Sequence, residues 1–218
     1  MSTRGLGVLA AVAALLLGAV CWGAELSVTL DGRQAETRES TLGDLVADAL
    51  QAAAEAQVAL LNASQLRPVV IPAGPVSAEQ VQEALFYPQD KVVRVTLTGE
   101  QLRAALERSV LVAPQPNKGF LQVSGLAYRF RSDLPANSRV TEVLVEGRPL
   151  VATAKYRVAL PQSLAKGALG YFRVFNELNI EAERGTLADA VASYLAGQKA
   201  ISLKGVPRIL DLARPPAG

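Results

Sequence analysis

Aspartates are the residues of this 218-residue chain that most directly suggest hydrolytic chemistry. Asp44 and Asp48 stand one helical turn apart, so a helix would place both carboxylates on one face. A two-metal phosphoesterase site needs carboxylates clustered with histidines, yet the chain contains no histidine. The same lack excludes a Ser–His–Asp triad, and neither a glycine-rich phosphate loop nor a nucleophile elbow is present. The sequence therefore predicts no catalytic residue, no metal site and no other cofactor.

The elements that would position polar side chains alternate between helices and strands. Helical spacing of apolar residues runs from Thr41 to Ala56, with Thr41 as the expected N-cap, and Ser77 opens a capping box before a short helix. Further helices are predicted from Gly99 to about Ser109, at 162–166 and at 187–195. Apolar runs predict strands at 25–30, 57–61, 92–97, 121–130, 140–146, 156–160 and, as a closing edge strand, 208–212. The proline-containing segment 62–75 is predicted to be a loop. This order, without regular βαβ repeats, indicates a mixed α/β (α+β) domain.

Residues 1–23 have the pattern of an export signal. Arg4 supplies a positive start, and an apolar run from Leu6 to Val20 follows. Because this run is shorter than the ~20 residues that comfortably span a bilayer, the sequence predicts a cleaved signal peptide, with cleavage after Gly23. Cys21, the single cysteine, is the alternative as a lipid-attachment site. Either way, we expect a secreted, periplasmic or cell-envelope protein.

The rest of the chain has the composition of one globular domain. Lys and Arg total 22 against 20 for Asp and Glu, and no block of like charge stands out. Charge therefore favours neither nucleic-acid binding nor attachment to a membrane surface beyond the signal or lipid. We expect one domain over residues 25–212 and a disordered tail at 213–218.

Five short blocks follow one another in the order and spacing of a known domain. They are 38–45 (Arg-Glu-Ser-Thr-Leu-Gly-Asp-Leu), 62–67 (Asn-Ala-Ser-Gln-Leu-Arg), 95–102, 119–125 (Gly-Phe-Leu-Gln-Val-Ser-Gly) and 164–171. Together they resemble the C-terminal, substrate-binding domain of the 5′-nucleotidase family, from about Leu26 to Leu212. The resemblance implies a layered α-β-β-α fold and a part in nucleotide catabolism. In that hydrolase family a separate N-terminal metallophosphoesterase domain carries the metals, and we expect none before Arg38.

The resemblance assigns substrate contacts to three of these residues. In the family an arginine at the place of Arg38 reaches the substrate phosphate, which suits a guanidinium fork. Asn62 and Arg67 match the ends of a nucleotide-binding motif, Asn-Gly-Gly-Gly-Ile-Arg, but residues 63–65 are Ala-Ser-Gln, so the glycine cradle is absent. Each residue has a plainer alternative: an exposed arginine before a helix, a turn residue at a strand end, and a surface arginine.

The resemblance also implies a pair of aromatic rings that stack on a base. Tyr171 matches one ring, in Gly-Ala-Leu-Gly-Tyr where the family has Gly-Gly-Asp-Gly-Tyr or -Phe. Tyr87 is the candidate for the other, unless Pro88 or Gln89 has replaced that ring. For these aromatic residues the alternative is ordinary core packing. Glu177, or Asn176, lies near a family acid that contacts the base or ribose.

Two functions follow from these residues. The first is an exported nucleotide- or nucleoside-binding domain that is inactive alone and docks with a separate metallophosphoesterase chain. The second is an envelope scaffold or interaction protein that kept the fold and lost the ligand pocket. The altered glycine-rich segments favour the scaffold, whereas the joint survival of Arg38, Asn62, Arg67 and Tyr171 favours binding. On the binding hypothesis, we expect Arg38, Asn62 and Arg67 to lie on one concave surface.

Overall fold

The computed structural model describes residues 24–176, 178–203, 205 and 207–214. Its helices are α1 (Thr41–Ala54), α2 (Ala78–Glu83), α3 (Gly99–Ser109), α4 (Gln162–Ala165) and α5 (Leu187–Ala196), with 3₁₀ turns at Ala63–Gln65 and Ala168–Arg173. Its strands are β1 (Glu25–Leu26), β2 (Leu30–Asp31), β3 (Val58–Asn62), β4 (Val70–Ile71), β5 (Gly74–Pro75), β6 (Lys91–Thr98), β7 (Leu121–Ser124), β8 (Leu126–Phe130), β9 (Val140–Val145), β10 (Arg148–Pro149), β11 (Lys155–Pro161), β12 (Ile180–Thr186), β13 (Ala200–Ile201) and β14 (Ile209–Asp211).

Some predictions fall outside the described residues. These are the signal peptide at 1–23, lipid attachment at Cys21, the contact of Glu177 with a ligand, and the end of the tail at 215–218. No helix among the described residues combines the length and the apolarity needed to cross a bilayer.

Two sheets form the frame of the domain. The larger has the strand order β12-β6-β11-β3-β7, in which β11 and β3 run parallel and the other neighbouring pairs are antiparallel. The smaller has the order β10-β9-β8-β14, with the closing strand β14 parallel to β8. Helix α1 packs on β3 and β7 and against α5, while α3 contacts β6 of one sheet and β9 of the other. This arrangement confirms the prediction of a mixed α/β fold.

The N-cap of the first long helix lies one residue earlier than the sequence predicts. The side chain of Ser40, not of Thr41, accepts a hydrogen bond from the backbone N–H of Gly43 at 3.0 Å and caps the helix. Thr41 instead donates its hydroxyl to the carbonyl of Thr29 and accepts from the N–H of Asp31, both at 2.8 Å. Thr41 therefore fastens the start of the helix to the segment before it.

The predicted strand at 121–130 is two strands, because Gly125 turns the chain from one sheet into the other. Gly125 has φ +70°, and a Cβ there would lie 1.9 Å from the carbonyl oxygen of Gln57. Only glycine fits this conformation and this approach. Strand β12, which the sequence does not predict, has a polar and partly exposed sequence and forms an edge of the larger sheet. The predicted strand at 25–30 is the two short strands β1 and β2.

Candidate functional site

Two adjoining cavities open beside Tyr87. The Tyr87 pocket has a volume of about 640 Å³ and is lined by Asn62, Ser64, Gln65, Phe86, Tyr87, Pro88, Gln89, Asp90, Ser163, Ala168 and Leu169. The Arg38 cleft has a volume of about 680 Å³ and is lined by residues 32–38 together with Ala63, Ser64, Leu66, Pro68, Phe86, Tyr87, Pro116, Lys118 and Leu169. Because Ser64, Phe86, Tyr87 and Leu169 line both, one elongated ligand can extend from one cavity into the other.

Asp90 ties together the polar wall of the Tyr87 pocket. Its carboxylate accepts hydrogen bonds from the Gln65 side-chain amide at 2.8 Å and from both the hydroxyl and the backbone N–H of Ser163. The backbone carbonyl of Gln65 also accepts from the N–H of Phe86 at 2.8 Å. The 3₁₀ turn after β3, the segment 86–90 and helix α4 are thus joined around the pocket.

Two amide oxygens in this wall lack partners among the described residues. Asn62, at the end of β3, donates from Nδ2 to the Ser64 hydroxyl at 2.6 Å, while its Oδ1 is buried and unpaired. The Oε1 of Gln65 is likewise buried and unpaired. An unsatisfied buried acceptor costs about 1–3 kcal/mol. Both oxygens are closed to solvent, so they belong to the interior of the wall and are not open to a ligand in this conformation.

The aromatic part of the site is Tyr87, whose side chain is 60% exposed. Its neighbour Phe86 lies with its ring centroid 6.3 Å away and tilted by 42°. Arg67 lies against Phe86, with its guanidinium carbon 4.6 Å from the ring centroid and its Nε donating to the carbonyl of Leu85 at 3.2 Å. Arg67 therefore supports Phe86, and it lines neither cavity.

Leu169, not Tyr171, faces the two cavities from the segment 167–171. Leu169 holds a left-handed backbone with φ 58°, and Gly167 and Gly170 flank it with φ 89° and 82°. A left-handed non-glycine residue carries strain of about 1–3 kcal/mol, and such strain concentrates at functional sites. Leu169 lines both cavities beside Tyr87 and is packed in part against the core.

The ring of Tyr171 lies in the core. It has no exposed surface, stacks on Phe175 at 5.4 Å, and its hydroxyl donates to the carbonyl of Gly119 at 2.7 Å. Burial raises the pKa of the Tyr171 phenol well above its ordinary value. The stacking role predicted for Tyr171 stays a prediction, and this conformation gives the ring no open face with which to perform it.

The loop that carries Arg38 is built on Gln122 of β7. The side chain of Gln122 donates to the carbonyls of Ala35 and Arg38 at 2.9 and 2.8 Å and accepts from the N–H of Ser40 at 2.9 Å. Gly43 makes room for this amide, since a Cβ there would lie 2.5 Å from Cγ of Gln122. The backbone at Arg38 is thus fixed, while its side chain is exposed at the cleft.

Lys118 is a further cation at the Arg38 cleft that was not among the residues predicted from the sequence. Its side chain is exposed, and its backbone carbonyl accepts from the N–H of Ser64 at 2.9 Å. Lys118 stands directly before the block at 119–125, and this position was the one feature of the sequence that could have indicated a part in the site.

A partly buried cluster, formed by Glu39, Asp44, Asp48 and Arg208, joins helix α1 to strand β14. Arg208 donates from both terminal nitrogens to the Asp48 carboxylate at 2.6 and 2.9 Å, and Glu39 accepts from the backbone N–H groups of Arg208 and Ile209 at 3.1 and 3.0 Å. Burial, with the neighbouring Glu39 carboxylate, raises the pKa of Asp44 from 3.8 to about 8, although Arg208 opposes the shift. The cluster fastens β14 to the domain.

Comparison with known proteins agrees with this fold. The family described as "5'-nucleotidase, C-terminal domain" matches residues 22–177. The chain belongs to the 5′-nucleotidase C-terminal domain family. The "Trifunctional nucleotide phosphoesterase protein YfkN" of Bacillus subtilis (strain 168) is 30% identical over 161 residues, which are 69% of this chain and 11% of YfkN.

Solved structures place the fold of this 5′-nucleotidase C-terminal domain among those of larger proteins. The 5'-nucleotidase precursor from Thermus thermophilus superposes with a TM-score of 0.78 and 34% identity, covering 88% of this chain and 39% of that one. The sulfate thiohydrolase SoxB from Thermus thermophilus superposes with a TM-score of 0.68 and 22% identity, covering 88% of this chain and 35% of that one, and shows the fold alone. This chain thus spans well under half of each of these relatives.

Within this 5′-nucleotidase C-terminal domain, the predicted site residues are brought together in part. Arg38 lines the Arg38 cleft, and Asn62 and Tyr87 line the adjoining Tyr87 pocket. Arg67 lies behind Phe86, and Tyr171 is in the core. Among the described residues, no group of three carboxylate, cysteine or histidine side chains is placed to hold a metal ion.

Proposed function

We propose that this chain is an exported nucleoside- and nucleotide-binding domain. The base and ribose occupy the Tyr87 pocket, and the phosphate lies in the Arg38 cleft. The observation that carries this proposal is the junction of the two cavities at the exposed ring of Tyr87, with the exposed cations Arg38 and Lys118 in the Arg38 cleft.

The Tyr87 pocket suits a base and its sugar in size and in chemistry. Its volume falls within the roughly 300–1,000 Å³ of small-molecule sites. A base that stacks on the exposed face of Tyr87 gains about 1–3 kcal/mol, largely independent of which base it is. Leu169 supplies the apolar surface on the other side of the base.

The Arg38 cleft suits the phosphate. Arg38 and Lys118 present two positive charges there, and the guanidinium fork of Arg38 is shaped for two phosphate oxygens. Arg33 also lines the cleft but is engaged by Asp31 through paired bonds at 3.0 and 2.6 Å. In this assignment Lys118 takes the part that the sequence analysis gave to Arg67.

Export and hydrolysis complete the proposal. The charge and apolar pattern of residues 1–23 supports an export signal, and fractionation of expressing cells with sequencing of the mature N-terminus tests it.

Hydrolysis of a bound nucleotide requires a metallophosphoesterase unit, which we assign to a separate chain that docks on this domain. Metal-dependent turnover by the repurified chain that disappears when one of its own carboxylates is replaced would contradict this assignment.

The experiment that tests binding is a thermal-shift panel on the purified chain with nucleosides, nucleotides and sugar nucleotides. A ligand that binds the native state raises the melting temperature. We expect a shift with nucleosides that Tyr87→Ala removes and that Phe172→Ala, an equally exposed aromatic outside both cavities, preserves. Melting-temperature shifts that persist in Tyr87→Ala would show that the base binds outside the Tyr87 pocket. A panel without any shift would favour the envelope scaffold.

A further inference from the structure

A third cavity, the Arg108 cleft, lies between helix α3 and the segment 170–174. It has a volume of about 750 Å³, and its distinguishing residues are Arg103, Arg108, Phe172 and Arg173. It shares no lining residue with the Tyr87 pocket or with the Arg38 cleft. Any ligand held there would therefore be separate from the proposed nucleotide.

Arg108 is held in place by the turn beside it. Its Nη2 donates to the carbonyl of Leu169 at 2.6 Å, and its guanidinium carbon lies 5.8 Å from the ring centroid of Tyr171. A Cβ at Gly170 would come within 2.6 Å of the same nitrogen. The glycine thus permits the guanidinium to lie against the backbone, which fixes its orientation before any ligand arrives.

The other two arginines border the same space with most of their donors uncommitted. Arg103 donates from Nη1 to the carbonyl of Val140 at 2.9 Å. Arg173 has its guanidinium carbon 5.7 Å from the ring centroid of Phe172, whose side chain is 58% exposed. A guanidinium carries five N–H donors, so each arginine can still bind an anion.

The acids near the cleft do not neutralise these arginines. The buried carboxylate of Glu107 accepts from the backbone N–H groups of Arg139 and Val140 at 3.0 and 2.9 Å. Among the described residues, the ion pairs within 4.0 Å join other partners and leave Arg103, Arg108 and Arg173 without a carboxylate. With Glu100 as the other acid in the lining, three positive charges face two negative ones.

We propose that the Arg108 cleft binds a small phosphorylated molecule with an aromatic or apolar body. Several guanidinium groups around one concavity match the oxygens of a phosphate monoester through charge-assisted, paired hydrogen bonds. Phe172 at the cleft provides an open ring for the body of the ligand. A cavity of this volume fits a small molecule rather than a flat protein surface.

Isothermal titration of the full chain with phenyl phosphate and with inorganic phosphate tests the proposal. We expect saturable binding of both, weakened about tenfold or more in Arg103→Gln/Arg173→Gln, because charge-assisted hydrogen bonds are lost. The matched control Arg148→Gln/Arg184→Gln removes the same charge from exposed residues outside the cleft, and it should leave the affinity within about twofold. Phe172→Ala should weaken phenyl phosphate several-fold and leave inorganic phosphate unchanged.

Three results would overturn the proposal. The first is no saturable binding of phenyl phosphate up to about 10 mM. The second is equal weakening by both double variants, which would mean that net charge alone attracts the anion. The third is binding that disappears in Arg38→Gln and survives in Arg103→Gln/Arg173→Gln, which would locate the anion in the Arg38 cleft.

Discussion

The carbonyl oxygen of Arg38 accepts a hydrogen bond at 2.8 Å from the side-chain amide of Gln122, a residue of the larger sheet. Arg38, the candidate phosphate-binding residue, is therefore attached through its backbone to the rigid part of the fold, even though its side chain is exposed. Catalytic and binding residues work best when a rigid scaffold fixes their backbone.

Gly43→Ala should disturb this attachment. The added Cβ would come within 2.5 Å of Cγ of Gln122, and overpacking of a buried site costs about 1–3 kcal/mol. We expect that loss in the free energy of unfolding by urea titration, together with weaker nucleotide binding. The control is Gly197→Ala at the end of α5, where the nearest atom to a new Cβ is 3.5 Å away. A loss no larger than that of the control would contradict the packing argument.

Tyr171→Phe should separate stability from binding. The substitution keeps the ring and removes the hydroxyl that donates to Gly119, so it leaves a buried carbonyl unpaired and costs about 1 kcal/mol. Nucleoside affinity should be unchanged, since the ring is enclosed. Tyr87→Phe is the matched variant, because its hydroxyl belongs to an exposed side chain. If Tyr171→Phe lost nucleoside affinity with unchanged stability, the result would show that the base contacts Tyr171.

Arg38→Gln and Lys118→Gln should discriminate between nucleotides and nucleosides. Each removes a positive charge from the Arg38 cleft, and a charge-assisted hydrogen bond is worth about 1.5–3 kcal/mol. Calorimetry should show about tenfold or greater weakening for a nucleoside monophosphate and little change for the nucleoside. Arg148→Gln controls for net charge. Equal losses of affinity for the nucleotide and the nucleoside would show that the phosphate does not bind in this cleft.

Asp44→Asn should change how stability depends on pH. The pKa of Asp44 is raised from 3.8 to about 8 in the fold, so between these values the native state holds a proton that the unfolded chain has released. The contribution of Asp44 to stability is therefore fully present below pH 3.8 and is lost as pH rises toward 8. Asparagine does not titrate, so the Asp44→Asn variant does not lose this stability as the pH rises.

Urea unfolding at several pH values measures the effect. From pH 5 to pH 8, Asp44→Asn should gain roughly 4 kcal/mol relative to the wild type, because the two pH values lie three units apart and one unit corresponds to about 1.36 kcal/mol. Glu142→Gln, at an exposed carboxylate on β9, controls for the loss of an acid. A difference between Asp44→Asn and wild type that stays constant with pH would refute the linkage.

The fold was largely predictable, because apolar periodicity is a local signal. Helix α1, strand β6 and the capping box at Ser77 agree with their predictions to within a few residues. Gly125 was harder to interpret, since its role depends on Gln57, which is distant in sequence. Strand β12 was missed because pairing with β6 stabilises a polar segment that has no apolar pattern of its own.

The site was predictable only in part, because residue type does not determine which way a side chain faces. Tyr171 follows Gly170 in an aromatic motif, but the left-handed turn at Leu169 directs Leu169 to the cavities and encloses the tyrosine. The pairing of Asp48 with Arg208, across 160 residues, was likewise inaccessible from local patterns.

The most direct test of the account is a crystal structure of the chain with a nucleoside monophosphate bound. We predict the base against the ring of Tyr87 with Leu169 on its other face, and phosphate oxygens within hydrogen-bonding distance of Arg38 or Lys118. A base stacked on an exposed Tyr171, or a phosphate bonded to Arg67 and remote from Arg38, would contradict the account.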